Sequence, residues 1–207
     1  MLVEWLVRTF WQTPSHPVFI YRQRYDIVVA ISYSSRRDRL ALGTEMVFRT
    51  AIRLFRKQGN TTLLAYGDAG NSFPKAELTE GAFKKILLRE LNVDQNLAIE
   101  AGRIMNSVTE AMRIKESLVT AGKNPKNILV VCTMMHSRTV RYIWKKTFPD
   151  AWISIYCIDG FSDVEKGHQI LLQRTRWVWF IANILRHAAL RTFGLRLVGK
   201  VVHISAG

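Results

Sequence analysis

The sequence predicts an α/β fold, a Rossmann-like three-layer sandwich with a mainly parallel sheet and a basic C-terminal helix. Three observations carry that reading. Short apolar runs rich in β-branched residues recur, as in Asp26-Ile-Val-Val-Ala-Ile-Ser32 and in the segment 127–133, without the alternation of a half-exposed strand. Such runs suit parallel strands covered on both faces. Segments with helical periodicity separate them, and strand–helix alternation is the signature of a parallel sheet with crossovers.

Taken in order, 26–32 reads as the first strand. Residues 41–58 follow as a helix with Met46, Ile52 and Phe55 among its apolar positions and Gly59 as its stop. The run 61–66 is a second strand, ended by the turn signal Gly67-Asp-Ala-Gly70. A helix is expected over 74–91, with Pro74 in its first turn, then a short strand at 97–100. Ser107-Val-Thr-Glu110 has capping-box spacing and opens a helix to Gly122. A strand at 127–133, a helix at 137–146 and a strand at 152–158 complete the alternation. A long basic, aromatic helix is expected over much of 169–193, and 197–204 reads as a last strand.

A chain of 207 residues fits a single domain, 1–207, with a core over about 26–160 and a basic helical segment over about 168–195. This length suffices for a buried core without staples. Cys132 and Cys157 each lie in apolar runs, as buried free thiols do. Too few cysteines are present for a disulfide framework or a regular zinc site. Residues 1–11 carry Glu4 and Arg8 and are too short to span a bilayer, and no transmembrane helix is predicted. The expected location is cytoplasmic, with peripheral membrane attachment as the alternative.

The net charge of +14 is uneven, because no acidic residue follows Glu165. Such a field draws phosphate, anionic lipid or nucleic acid. Nucleic acid ranks last, since no recognised binding motif is present. On the C-terminal helix Trp177, Ile181, Ile184, Leu185 and Ala188 recur at helical spacing as an apolar stripe, with Arg174, Arg176, Arg186 and Arg191 as a basic complement. That stripe suits either the covering layer of the sheet or an anionic membrane surface.

In open parallel sheets ligands bind at the carboxyl ends of the strands. Four loops are selected, at 32–38, 67–72, 100–107 and 133–141. Ser32, Ser34 and Ser35 offer hydroxyls and amides to an anion, although glycine fingerprint and Walker lysine are both missing. Gly67 permits close backbone approach, and Asp68 is placed to accept ribose hydroxyls or act as a base. Glu100 ends a strand, while Asn106 and Ser107 open a helix whose free amides favour an anion. His136 lies between a buried strand and a helix, where it suits acid–base work. Arg138 and Arg141 follow, Arg138 in a first helical turn where a cation opposes the dipole unless it binds something negative.

The order of these segments resembles the YdcF-like family, which includes SanA- and ElyC-type proteins. Phe48-Arg-Thr-Ala-Ile-Arg-Leu54 is similar to the family's first helix, and Ala65-Tyr-Gly-Asp-Ala-Gly70 stands where its Ser-Gly-Gly turn would be. Glu100 with Asn106-Ser-Val-Thr-Glu-Ala111 resembles its third motif, and Val130-Val-Cys-Thr-Met-Met-His-Ser-Arg138 its fourth. The resemblance implies a Rossmann-like sandwich with one pocket formed by these segments, and a link to envelope maintenance in some members.

The expected function is therefore a pocket protein that binds or acts on an anionic, phosphorylated or nucleotide-like small molecule, as a transferase or hydrolase if it is an enzyme. Glu100 or His136 would serve as acid or base, and Arg49, Arg138 and Arg141 would hold negative charge. The cofactor is not identified by the residues, a nucleotide-like group being compatible with them. The alternatives are a peripheral membrane factor and a nucleic-acid binder.

Overall fold

The computed structural model describes residues 2–14, 17–70, 78–158, 164 and 174–204. Its centre is a five-stranded, all-parallel sheet in the order β3-β2-β1-β4-β5, built from β1 (Ile27–Ala30), β2 (Leu63–Asp68), β3 (Ala98–Arg103), β4 (Asn127–Thr133) and β5 (Trp152–Ile158). The central β1 is buried along its whole length, which is why its sequence shows no alternation.

Helices cover both faces. In α3 (Leu42–Arg56), Val47, Phe48, Ala51, Ile52, Leu54 and Phe55 are buried against Val28, Ala30, Leu64 and Tyr66. The helix α4 (Glu80–Glu90) adds Leu87 and Leu88 to the same layer. Ile27, Val29 and Ile31 point to the opposite face, where α5 (Ser107–Thr120) and α6 (Ser137–Thr147) supply Ile114, Leu118, Ile143 and the fully buried Trp144. Side chains on the two faces alternate with the strand period of two.

A third cluster sits at the carboxyl end of β4. It joins the terminal segments, α1 (Leu2–Leu6) running into a π-helical turn at Val7–Trp11, and α7 (Arg176–Ile204). Val3, Val7 and Trp11 meet Trp179 and Phe180 over Met134 and Met135. A short helix α2 (Pro17–Arg22) leads from α1 into β1.

Several boundaries move. The segment 197–204 continues the helical backbone of α7 past a break at Gly194 (φ 76°) and is not a strand. In α4 helix begins at Glu80, capped by Thr79, with Pro74 outside the described residues. The capping box of α5 is Asn106 with Thr109, not Ser107 with Glu110, because Glu110 is withdrawn wholly into the core. The apolar stripe of α7 is turned outward: Trp177, Ile181, Ile184 and Leu185 are exposed, while Trp179, Phe180, Asn183 and Leu190 face inward. Among the described residues no helix is long and apolar enough to cross a membrane.

Candidate functional site

In the order 3-2-1-4-5 the chain leaves β1 toward β2 and later returns to pair β4 on its other side. The carboxyl ends of β1 and β4 therefore diverge into a crevice, where α/β sheets place ligands. Tyr33, just after β1, spans the gap: its hydroxyl accepts from the Thr133 amide at 2.8 Å. A cavity of about 100 Å³ opens here, lined by Ser32, Tyr33, Asn106, Ser107, His136 and Arg186 among others.

His136 is 2% exposed and joins two elements that no local signal links. Its Nε2 lies 2.7 Å from the Ser107 hydroxyl, and its Nδ1 lies 2.9 Å from Asn183 Oδ1 on α7. The Asn183 side-chain amide donates to the Trp179 carbonyl at 2.9 Å, so its oxygen faces the imidazole. An oxygen acceptor requires the proton on Nδ1, which leaves the Nε2 lone pair for the Ser107 hydroxyl. The Trp179 ring stacks on His136, and Tyr33 meets it edge-on. Burial first, then the Arg186 charge, lowers the His136 pKa to about 4, with the Asn183 bond opposing. The imidazole is thus neutral and proton-accepting at physiological pH. Ser107 is the first residue of α5, at the positive end of the helix dipole.

The crevice floor is ionic. Lys84 is fully buried and binds Glu80 at 2.5 Å, the Ser32 hydroxyl at 2.6 Å and the Gly67 carbonyl at 2.9 Å. Glu110, equally buried, accepts from the Ser32 amide at 3.0 Å. Burial raises the Glu110 pKa to about 7, against the pull of Lys84. A Cβ on Gly67 would lie 2.8 Å from Ile104 and 3.1 Å from Glu110 Oε1, so only glycine fits between β1 and this floor.

The residues singled out from the sequence divide. Ser32, Asn106, Ser107 and His136 converge on the cavity. Gly67 lies on its floor. Ser34 and Ser35 are buried in the loop after β1, held to Thr44 and Gly70. Asp68 closes a turn by accepting from the Gly70 amide at 2.7 Å. The amides expected to hold an anion at α5 are consumed, since Asn106 accepts from Val108 and Thr109.

Four residues leave the crevice altogether. Glu100 lies on the edge strand β3, three strand positions from β4, about 14 Å at the usual strand spacing. There it pairs with Lys85 at 2.6 Å and, with Asp68, crowds Gly81. Arg49 is on the outer face of α3, paired with Glu45 at 2.8 Å. Arg138 donates to the carbonyls of Phe10 and Trp11 at 2.6 and 3.1 Å, and Arg141 to that of Thr13 at 3.1 Å. Carbonyls that close a helix offer a cation the negative end of its dipole, which offsets Arg138's unfavourable place on α6.

Asn183, Arg186, Lys84, Glu80 and Glu110 were not among the expected site residues. Trp179, Asn183 and Arg186 share one α7 face at i, i+4 and i+7 spacing. The signal that could have found that face is an asparagine flanked by apolar residues inside a helix. No family model matches this chain, and no curated protein or solved structure does so either.

Proposed function

We propose that the crevice belongs to a hydrolase or transferase acting on a small phosphoester, with Ser107 as nucleophile. The observation that carries this reading is the Ser107–His136–Asn183 chain of hydrogen bonds at the switch point of the sheet. It has the logic of a nucleophile, a base and a group that orients the base. Ser107 Oγ would attack phosphorus while its proton passes to His136 Nε2. The departing alkoxide takes that proton, leaving a phosphoserine. Water, or an acceptor alcohol, then attacks the phosphoserine, gives its proton to His136, and regenerates the serine as that proton returns to Oγ. Asn183 holds the imidazole in the competent tautomer.

Arg186 supplies charge at the cavity wall. Burial lowers its pKa, and no carboxylate lies within ion-pair distance among the described residues. Its guanidinium lies 5.6 Å from the centre of the Trp179 ring, and an anion there would give it a counter-charge. The cavity of about 100 Å³ suits a phosphoryl group better than a whole nucleotide, since drug-sized ligands occupy roughly 300–1,000 Å³.

Diisopropyl fluorophosphate is the direct probe. Mass spectrometry should find the adduct on Ser107, and His136→Ala should abolish it. Arg186→Gln should cost about 2–5 kcal/mol of substrate binding. An adduct elsewhere, or no adduct together with no hydrolysis of 4-nitrophenyl phosphate, would refute the reading.

A second reading rests on a different observation. Trp177, Ile181 and Leu185 of α7 and Leu2, Trp5 and Phe10 of the first segment are exposed, with Arg174, Arg176 and Arg191 beside them. An apolar surface with basic neighbours is the pattern of interfacial helices. This supports peripheral attachment to anionic membranes, tested by flotation with anionic and neutral vesicles. Equal failure to bind both would remove it.

A further inference from the structure

A concavity larger than the crevice lies away from it. It is a groove of about 650 Å³ between α6, α7 and the start of β5. Arg138, Arg141, Lys145, Lys146, His187 and Arg191 line it, and among the described residues no acidic residue does. None of the six forms an ion pair among the described residues. Arg138 and Arg141 spend their contacts on neutral carbonyls, which leaves their charge uncompensated. The field registers on His187, whose pKa is lowered by burial and then by Arg138 and Arg191. The His187 Nδ1 is buried without a hydrogen-bond partner among the described residues.

The groove also has an aromatic end. Trp152 opens β5, lines the groove and is 64% exposed. The indole is thus left largely in water beside a run of cations. From Arg138 to Lys146 the α6 stripe spans about 12 Å at the helical rise. That length offers successive positive charges to a chain of phosphates, with a flat ring surface at its lower end.

We propose that this groove binds a nucleoside polyphosphate, with the phosphates along Arg141, Lys145, Lys146 and Arg191 and the base against Trp152. The volume falls within the range of small-molecule sites. Aromatic faces bind bases by stacking, with little regard to base identity. This assignment stands apart from the crevice reading, because it uses neither Ser107 nor His136.

The test is titration of the purified protein with a fluorescent methylanthraniloyl adenosine triphosphate, at low and at physiological salt, with unlabelled competitors. Binding should weaken at least tenfold in the Lys145→Glu/Lys146→Glu variant, whose altered side chains are exposed. Trp152→Ala should weaken the nucleotide but leave inorganic triphosphate unchanged. Ser107→Ala should bind as the parent does, so failure of the crevice reading leaves this result standing. No saturable binding at low salt would overturn the proposal. So would undiminished binding by the double variant, or displacement by single-stranded RNA with no competition from free nucleotide.

Discussion

The crevice and the α6 groove treat charge in opposite ways. In the crevice Ser107, His136 and Asn183 are neutral, mutually hydrogen-bonded and packed under Trp179, with Arg186 alone supplying charge to the wall. In the groove the charges are many, open to solvent and unpaired among the described residues. The physical reason is desolvation. A buried site tolerates little ionisation unless it is paired, whereas an exposed groove accumulates cations at small cost. Arg138 and Arg141, expected beside His136, are therefore at the groove, and the crevice keeps Arg186 on its wall and the paired Lys84 in its floor.

The sharpest way to break that contrast is to ask which site carries chemistry. Ser107→Ala and His136→Ala should each reduce phosphoester turnover by roughly a thousandfold or more. Lys145→Glu/Lys146→Glu should leave the rate of Ser107 phosphorylation by diisopropyl fluorophosphate unchanged. Because His136 is neutral down to about pH 4, the acid limb of turnover should lie near 4 and not near 6.5. Loss of turnover on reversing the groove charges would mean that the two sites are one.

The next largest effect distinguishes a buried ion pair from an exposed one. Lys84→Met leaves Glu80 charged in the core and should cost about 3–5 kcal/mol in urea unfolding. Lys85→Met breaks the partly exposed pair with Glu100 and should cost less than about 1 kcal/mol. Equal costs would show that the crevice floor is not held by Lys84.

The contrast also explains what the sequence made legible. The parallel strands were, because β1 is apolar throughout and β4 is apolar between Asn127 and Thr133, both too short for a typical helix. The crevice was expected at the carboxyl ends of parallel strands, and His136 and Ser107 were singled out by their places after β4 and at the start of α5. What failed was reach. Nothing local says that Glu100 lies on an edge strand, or that Arg138 and Arg141 are turned to the carbonyls of residues more than a hundred positions earlier. The same limit hid Asn183, since α7 turns one apolar stripe outward and buries Asn183 among Trp179, Phe180 and Leu190 on its other side. Amphipathic periodicity gives a stripe's angle around the helix, while the core it faces is set by tertiary packing.

A pH experiment separates the two buried groups of the crevice. His136 has a folded pKa of about 4 against an ordinary 6.5, so the unfolded chain takes up its proton first as pH falls. Lowering pH from 6.5 to 4 should then remove about 3 kcal/mol of stability. Glu110 runs the other way. Its folded pKa of about 7 exceeds the ordinary 4.5, so raising pH from 4.5 to 7 favours the unfolded carboxylate by a similar amount. Between 4.5 and 6.5 the two oppose each other. Glu110→Gln should expose the His136 slope, with stability falling as pH falls. His136→Gln should expose the reverse. Two variants with the same slope would contradict the burial of one group or the other.

The smallest expected effect concerns Arg49, which the sequence placed among the anion-binding residues. It lies on the solvent face of α3, half-exposed, four residues after Glu45 and bonded to it at 2.8 Å. Exposed pairs at this spacing contribute about 0.3–0.5 kcal/mol, because water and salt screen them and two long side chains must be ordered. Arg49→Ala should therefore lower stability by no more than about 0.5 kcal/mol, and less at high salt. Turnover at Ser107 and nucleotide binding at the groove should both be unaffected, since the residue lines neither. That null result has force because Arg186→Gln removes the same charge from the molecule. A loss of substrate binding in the Arg186 variant alone would assign the effect to a charge in the crevice wall. A parallel loss in both would trace it to the overall positive field, and the contrast between a paired surface arginine and a buried one would fall.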